Sequence, residues 1–162
     1  MTYNPLESVR EFYYKFKQEE HIAIEVGEIS DERLHLKLNL IAEEFIELIE
    51  AAYGKEAAAI LTIAWMKAQA ADDGTRDWVE IADALADLDY VEKGAALEIG
   101  IPLDVVFNEV HRSNLSKLDE NGEPIISDGV KPSEYDGQVK PKGKILKSKN
   151  FFEPDIKGIL GL

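Results

Sequence analysis

The sequence predicts an all-α protein: a bundle of four to five helices, completed by oligomerisation, with a loop-rich C-terminal tail. Apolar residues recur at steps of three and four through the central part of the chain, and helix start and stop signals punctuate residues 4–118. No strong strand pattern precedes residue 124. The length of 162 residues fits one domain of ordinary size.

The first two helices are identified by their capping residues. Asn4 can cap the first helix and Pro5 suits its first position, so this helix is expected to run to about Glu20. Ser30 can cap a second helix that ends at Gly54. Its apolar positions are Leu34, Leu38, Ile41, Phe45, Leu48 and Ala52. Their spacing predicts a long amphipathic helix.

Three further helices are expected before residue 120. Residues 55–71 are Ala-rich and apolar on most sides, which predicts a buried third helix and, because one short bundle cannot cover it, an oligomer. Thr75 can cap a fourth helix that closes at Gly100. Pro102 begins a fifth helix, which is expected to reach about Leu118.

The composition changes after this point, so we divide the chain into a helical domain, residues 1–120, and a C-terminal extension, residues 121–162. Four of the six prolines lie in the extension, and a short hairpin is expected between residues 125–126 and 144–146. Residues 131–162 carry a charge of +3, whereas residues 1–130 carry −17. We expect this basic extension, at least over residues 143–156, to dock on the domain or on a partner subunit.

The bulk composition excludes several classes of protein. The chain has no Cys, so disulfides and thiolate sites are impossible. The net charge of −14 argues against binding a nucleic-acid polymer. There is no apolar run long enough to cross a membrane and no secretory signal, so the expected location is the cytoplasm.

Two acidic segments on separate predicted helices stand out. The first contains Glu43, Glu44 and Glu47, and the second contains Glu80, Asp83 and Asp87. Carboxylates three or four residues apart lie on one face of a helix, where like charges repel. A magnesium ion would reverse that repulsion, and the absence of nearby His or Cys favours a hard metal over zinc. The pattern alone fits a solvated acidic face equally well.

A di-iron bundle is a competing interpretation of the same acids. Such a centre needs two E-x-x-H motifs and two further glutamates on other helices. The chain has one such motif, Glu32-x-x-His35, and neither His21 nor His111 follows a Glu at that spacing. The sequence therefore favours magnesium over iron.

A known superfamily shares this acidic pattern. Glu43-Glu44-x-x-Glu47 followed by Glu80-x-x-Asp83 resembles the signature of the all-α nucleoside triphosphate pyrophosphatases. That superfamily includes the MazG-like proteins, the dimeric all-α dUTPases and phosphoribosyl-ATP pyrophosphohydrolase. The resemblance covers roughly residues 30–120 and continues through residues 84–90 and 110–117. The interval between Glu47 and Glu80 is longer than is usual in the superfamily, which leaves the subfamily open.

The resemblance implies an enzyme: a magnesium-dependent hydrolase, with manganese as a substitute, that converts a nucleoside triphosphate to the monophosphate and pyrophosphate. Phosphoribosyl-ATP or dUTP are alternative substrates, and a non-catalytic helical metal-binding protein is the alternative of another class. The resemblance also implies a homodimer or homotetramer. Residues 1–120 would be the pyrophosphohydrolase domain.

The resemblance also gives roles to single residues. The implied metal ligands are Glu44, Glu47, Glu80 and Asp83. Glu43 would be a further ligand or the group that orients the attacking water, which makes Glu43 and Glu47 the catalytic pair. Substrate contacts are expected from Asn114, Lys117, Asp87 and Tyr90. Base stacking could also involve Trp65 or Trp78, and the cations that offset the acidic charge could include Arg76 and Arg112.

Overall fold

The computed structural model describes residues 4–162, and the predicted all-α class is confirmed. Over these residues the long helices are α1 (Pro5–Lys15), α2 (Asp31–Tyr53), α3 (Lys55–Ala70), α4 (Trp78–Ile99) and α5 (Leu103–Leu115). A 3-10 turn (Glu19–His21) follows α1, and a short α6 (Ile156–Leu160) closes the chain. No helix in the described part is long and apolar enough to span a membrane.

The chain divides into two compact units. One unit is Ala23–Leu85, which holds α2, α3 and the first part of α4. The other unit joins the chain up to Ile22 with Ala86–Leu162, so α5 and the C-terminal extension belong together.

The caps predicted for the first two helices are confirmed. The Asn4 side chain accepts the backbone N–H of Glu7 at 3.3 Å, and Ser30 Oγ accepts that of Arg33 at 3.2 Å. The predicted end of α1 is wrong by about one turn. Lys17 has a positive φ of 54°, a conformation that a right-handed helix cannot continue through.

The predicted cap of α4 is also wrong. Asp77 Oδ1 accepts the backbone N–H groups of Val79 at 3.1 Å and Glu80 at 3.2 Å, so Asp77 satisfies the first turn. Thr75 instead donates its hydroxyl to Asp73 Oδ1 at 2.7 Å. Asp77 immediately precedes the first helical residue, Trp78, and is therefore the N-cap of α4.

In the unit formed by residues 23–85, α2 and α3 pack side by side as a helical hairpin. Gly54 makes the turn with a φ of +91°, which a side chain would strain. Trp65 Nε1 donates to Asn39 Oδ1 at 2.8 Å. The prediction that α3 is buried is wrong within the chain: only Ala58 is buried, and Ile60 is 63% exposed. The neighbouring helix α2 can cover only one face of α3, whereas α3 is apolar on several faces.

In the other unit, α5 packs against α1 and α6. Phe16 is the largest fully buried side chain of the described residues, and its ring stacks on Phe12 with centroids 4.1 Å apart. His111 on α5 lies 3.2 Å from a Glu11 carboxylate oxygen on α1. The His111–Glu11 contact thus joins α5 to α1, whereas the Phe12–Phe16 contact lies at the C-terminal end of α1 itself.

The hairpin predicted in the extension is confirmed as an antiparallel bridge between Ile126 and Ile145. The backbone N–H of Leu146 donates to Ile125 O at 2.8 Å. The interior of the extension is polar: Ser127 is 4% exposed and donates its hydroxyl to Lys140 O at 2.7 Å. Buried serines replace the apolar core that so short a segment cannot build.

Candidate active site

The acids of α2 lie in the middle of that helix, on its exposed surface. Glu43, Glu44 and Glu47 are all exposed. At about 100° per residue the three fall within about 100° of one another around the helix axis.

The acids of α4 form a second stripe. Glu80, Asp83 and Asp87 are exposed and fall within about 60° of one another at the same helical twist. Tyr90 follows on the same side and is 79% exposed. The Asp77 cap sets this register, since it begins the helix three residues before Glu80.

These six carboxylates share one property: within the described chain none of them forms a hydrogen bond or salt bridge through its side chain. Other acids are held firmly. Asp72 pairs with Arg76, and Glu109 pairs with Arg112. Repelling charges without a counterion destabilise a helix face. The two stripes are therefore surfaces on which a bound cation would be stabilising.

The structure does not gather these acids into one cluster. Among residues 4–162, no group of three or more His, Asp or Glu side chains converges on a point that could hold a metal ion. The donor chemistry does fit magnesium, because every candidate ligand is a carboxylate and the chain has no Cys. The assignment of Glu44, Glu47, Glu80 and Asp83 as ligands stays a prediction.

The two residues predicted to contact phosphates lie together at the end of α5. Lys117 Nζ donates to Asn114 Oδ1 at 2.7 Å, and both side chains are half-buried. Asn114 is in the last turn of the helix, whereas Lys117 lies just beyond it. This pair belongs to the unit that holds α5, and the acids of α2 belong to the other unit.

The three candidate aromatic residues have different surroundings. The Trp65 indole N–H already donates a hydrogen bond to Asn39 Oδ1. Trp78 packs against Gly27, where an added Cβ would approach the indole nitrogen to 2.9 Å. Only the Tyr90 ring is largely exposed, so it is the one of the three that keeps a surface for stacking.

An ion network that includes His35 and Arg76 joins the start of α2 to the turn before α4. Asp72 accepts from Arg76 Nη1 and Nη2, each at 2.8 Å, and His35 Nε2 lies 2.8 Å from Asp72 Oδ2. Arg76 chiefly, with the Gly74 N–H and His35, holds the pKa of Asp72 well below its ordinary value of 3.8. This network gives the His of the E-x-x-H motif a structural partner.

The arginines proposed to offset the acidic charge are engaged elsewhere. Arg76 also reaches Asp31 Oδ1 at 3.3 Å, and Arg112 contacts Glu109 at 2.8 Å. Each guanidinium is thereby neutralised by a carboxylate of its own unit. The Asp31–Arg76 pairing could not be predicted from the sequence, because the two residues are far apart in the chain. The Glu109–Arg112 pairing could have been predicted, because these residues have the i, i+3 spacing of a helical pair.

A helical chain with acidic stripes on α2 and α4 and an Asn–Lys pair at the end of α5 has the features of an all-α nucleotide pyrophosphohydrolase. Residues 9–114 match the family profile of phosphoribosyl-ATP pyrophosphohydrolase. Because this match spans more than half of the chain, the protein belongs to that family of nucleotide pyrophosphohydrolases, and the predicted superfamily is confirmed.

A solved structure is similar over almost the whole chain. It is a protein from Exiguobacterium sp. 255-15, provisionally described as an NTP pyrophosphohydrolase and determined at 1.78 Å resolution. The TM-score is 0.68 at 23% identity, with 98% of this chain and 94% of that chain covered. This likeness shows a shared fold that includes the C-terminal extension. No curated protein sequence matches the chain significantly.

Proposed function

We propose that the protein hydrolyses the bond between the α- and β-phosphates of a nucleoside triphosphate, releasing the monophosphate and pyrophosphate, with magnesium or manganese as cofactor. The observation that carries this proposal is the pair of carboxylate stripes without protein partners on α2 and α4. Both stripes lie inside the segment that matches the family.

Four carboxylates would hold the metal: Glu44, Glu47, Glu80 and Asp83. When bound, magnesium supplies the positive charge that neutralises the triphosphate and the leaving pyrophosphate. Their exposure and lack of protein partners in the described chain support this role. The protein's own contribution is then to place the substrate and to remove a proton from the attacking water.

Glu43 is the proposed proton acceptor. Its side chain is exposed, and within the described residues no hydrogen bond occupies its oxygens. Glu47 lies one turn along the same helix, about 40° from Glu43 around the axis. A base and a ligand on one helix face can act on the same water.

The substrate would be held at two places. Asn114 and Lys117 supply an amide and an ammonium group for the phosphate oxygens. Asp87 and the exposed ring of Tyr90 are proposed to contact the nucleoside. Together these groups would hold the phosphate chain and the base at separate positions.

A second candidate substrate is phosphoribosyl-ATP, favoured by the family profile itself. Its hydrolysis breaks the same type of bond and releases the same leaving group, so the proposed residues serve either reaction. Pyrophosphate release from a panel containing ribo- and deoxynucleoside triphosphates, dUTP and phosphoribosyl-ATP separates the substrates. Release from none of them would refute the proposed function.

The protein is also proposed to be a homodimer or homotetramer. Large apolar side chains stay exposed on α3 and α4, among them Ile60, Ile63, Met66, Leu85, Leu88 and Val91. Monomeric proteins rarely expose so many apolar residues along two helices. A second copy of the chain is the proposed cover for these faces.

A further inference from the structure

The end of α5 is joined to the C-terminal segment by serine hydroxyls. Ser113 Oγ donates to Phe152 O at 2.8 Å, and Ser116 Oγ accepts the backbone N–H of Phe152 at 3.1 Å. Ser148 Oγ donates to Ser116 O at 3.1 Å. We name Ser113, Ser116 and Ser148 the serine clip.

The clip supplies additional donors to carbonyl groups at the end of α5. The last carbonyl groups of an α-helix have no intrahelical donor. Ser116 Oγ donates to Ser113 O at 2.7 Å, and Ser148 supplies a donor to Ser116 O. Ser113 is 4% exposed and Ser148 is 3% exposed, so water does not compete for these bonds.

A second set of contacts fastens the same segment one turn earlier on α5. Glu109 Oε1 accepts the backbone N–H of Asp155 at 3.0 Å. The Arg112 guanidinium lies 4.8 Å from the centre of the Phe152 ring and also pairs with Glu109. Residues 148–155 are therefore attached along the last two turns of α5.

The proposed phosphate-binding pair lies directly beside the clip. Asn114 follows Ser113, and Lys117 follows Ser116. Helix ends open more readily than helix centres, and Lys117 lies beyond the last helical residue, Leu115. The backbone that carries Lys117 therefore depends on the groups that hold Ser116.

We propose that the serine clip positions Asn114 and Lys117 for a polyphosphate ligand. The segment 148–155 holds the last turn of α5 closed, and the Asn–Lys pair is thereby ordered before the ligand arrives. This inference rests on the proposed function, because it takes the pair to bind the phosphates of the substrate. The clip serines are positioning residues, since they act through their neighbours.

The extension supplies a matched control for the clip. Ser127 is also 4% exposed and also donates to a backbone carbonyl, that of Lys140. Its partner lies within the extension, so removing its hydroxyl costs a similar bond without releasing α5. Ser116→Thr is a second control, because threonine keeps the hydroxyl.

The test compares full-length Ser148→Ala, Ser116→Ala, Ser116→Thr and Ser127→Ala with the wild type. For the nucleotide that the wild type hydrolyses, Ser148→Ala and Ser116→Ala should raise KM by about 2- to 10-fold, the range expected for one lost hydrogen bond, with kcat unchanged within about twofold. Amide exchange at residues 113–118 should quicken in the same two variants. Ser116→Thr and Ser127→Ala should match the wild type in both measurements.

A binding arm separates the clip from the proposed reaction. Calorimetry with inorganic tripolyphosphate and magnesium should show the same weakening for Ser148→Ala. A wild type that releases no pyrophosphate from any nucleotide but binds tripolyphosphate in this clip-dependent way would refute the reaction and support the clip. Equal KM, tripolyphosphate affinity and exchange for Ser148→Ala and Ser127→Ala would overturn the clip. If Ser148→Ala fails to fold, the same comparison between Ser116→Ala and Ser116→Thr decides.

Discussion

Glu109 and Asp155 lie 46 positions apart in the chain, yet a Glu109 carboxylate oxygen accepts the backbone N–H of Asp155 at 3.0 Å. This bond chiefly, with Arg112 adding to it, holds the pKa of Glu109 below its ordinary value of 4.5. Attachment of the C-terminal segment is therefore linked to the charge of one carboxylate.

Because the pKa of Glu109 is lowered in the folded protein, acid is expected to weaken the attachment of the C-terminal segment. A lowered folded-state pKa means that the stabilisation is fully present above about pH 4.5 and is lost as the pH falls through the folded value. Amide protection of residues 148–155, corrected for intrinsic exchange rates, should fall as the pH drops below about 4.5. Glu109→Gln should lower this amide protection already at pH 7 and should make it less dependent on pH. Glu98→Gln, at an exposed carboxylate of α4, should behave as the wild type; equal profiles for Glu109→Gln and Glu98→Gln would contradict the link.

Removing the proposed catalytic carboxylates should abolish turnover without harming the fold. Glu47→Gln and Asp83→Asn should each lower kcat by about 100-fold or more, the loss typical of a removed electrostatic group. In the absence of metal their Tm should be no lower than that of the wild type, because each change relieves repulsion on a helix face. Glu92→Gln, also exposed on α4, is the control and should keep wild-type kcat. Wild-type turnover by either test variant would refute the site.

Lys117 should govern affinity for the phosphates. Lys117→Gln should raise KM by about 10- to 100-fold, the range for a lost hydrogen bond to a charged group. The matched control is Lys144→Gln, an exposed lysine of the extension. Steady-state kinetics at several salt concentrations measure both variants. The same KM for both would mean that Lys117 does not contact substrate.

The oligomer prediction can be tested by light scattering. At micromolar concentration the mass should be two or four times the 18.2 kDa of one chain. Ile63→Asp places a charge on the exposed apolar face of α3 and should shift the mass toward one chain. Val130→Asp, at an exposed apolar residue of the extension, should leave the mass unchanged. A wild type of 18.2 kDa would contradict the prediction.

Local sequence signals predicted much of the fold, since they act over a few residues. The Asn4 and Ser30 caps and the Ile126–Ile145 pairing follow from such signals. The left-handed Lys17 was not predictable, because nothing in its residue type favours that conformation. The exposure of α3 depends on which helices surround it, and periodicity does not carry that information.

In the candidate site, too, only the features that lie within one helix could be predicted from the sequence. Helical spacing predicted that Glu80 and Asp83 share a face, and the structure places both on one side of α4. Spacing cannot tell which helices lie next to one another, so the joining of the two stripes stays a prediction. The serine clip was missed because Ser116 and Phe152 are 36 residues apart and serine is an ordinary loop residue.

The proposed hydrolysis is best tested by identifying the products formed from a nucleotide panel, with magnesium and with excess EDTA. Equal amounts of nucleoside monophosphate and pyrophosphate are expected from at least one nucleotide in magnesium. Activity should be lost in EDTA and restored by added magnesium or manganese. Full activity in excess EDTA would refute the metal requirement, and release of orthophosphate in place of pyrophosphate would refute cleavage between the α- and β-phosphates.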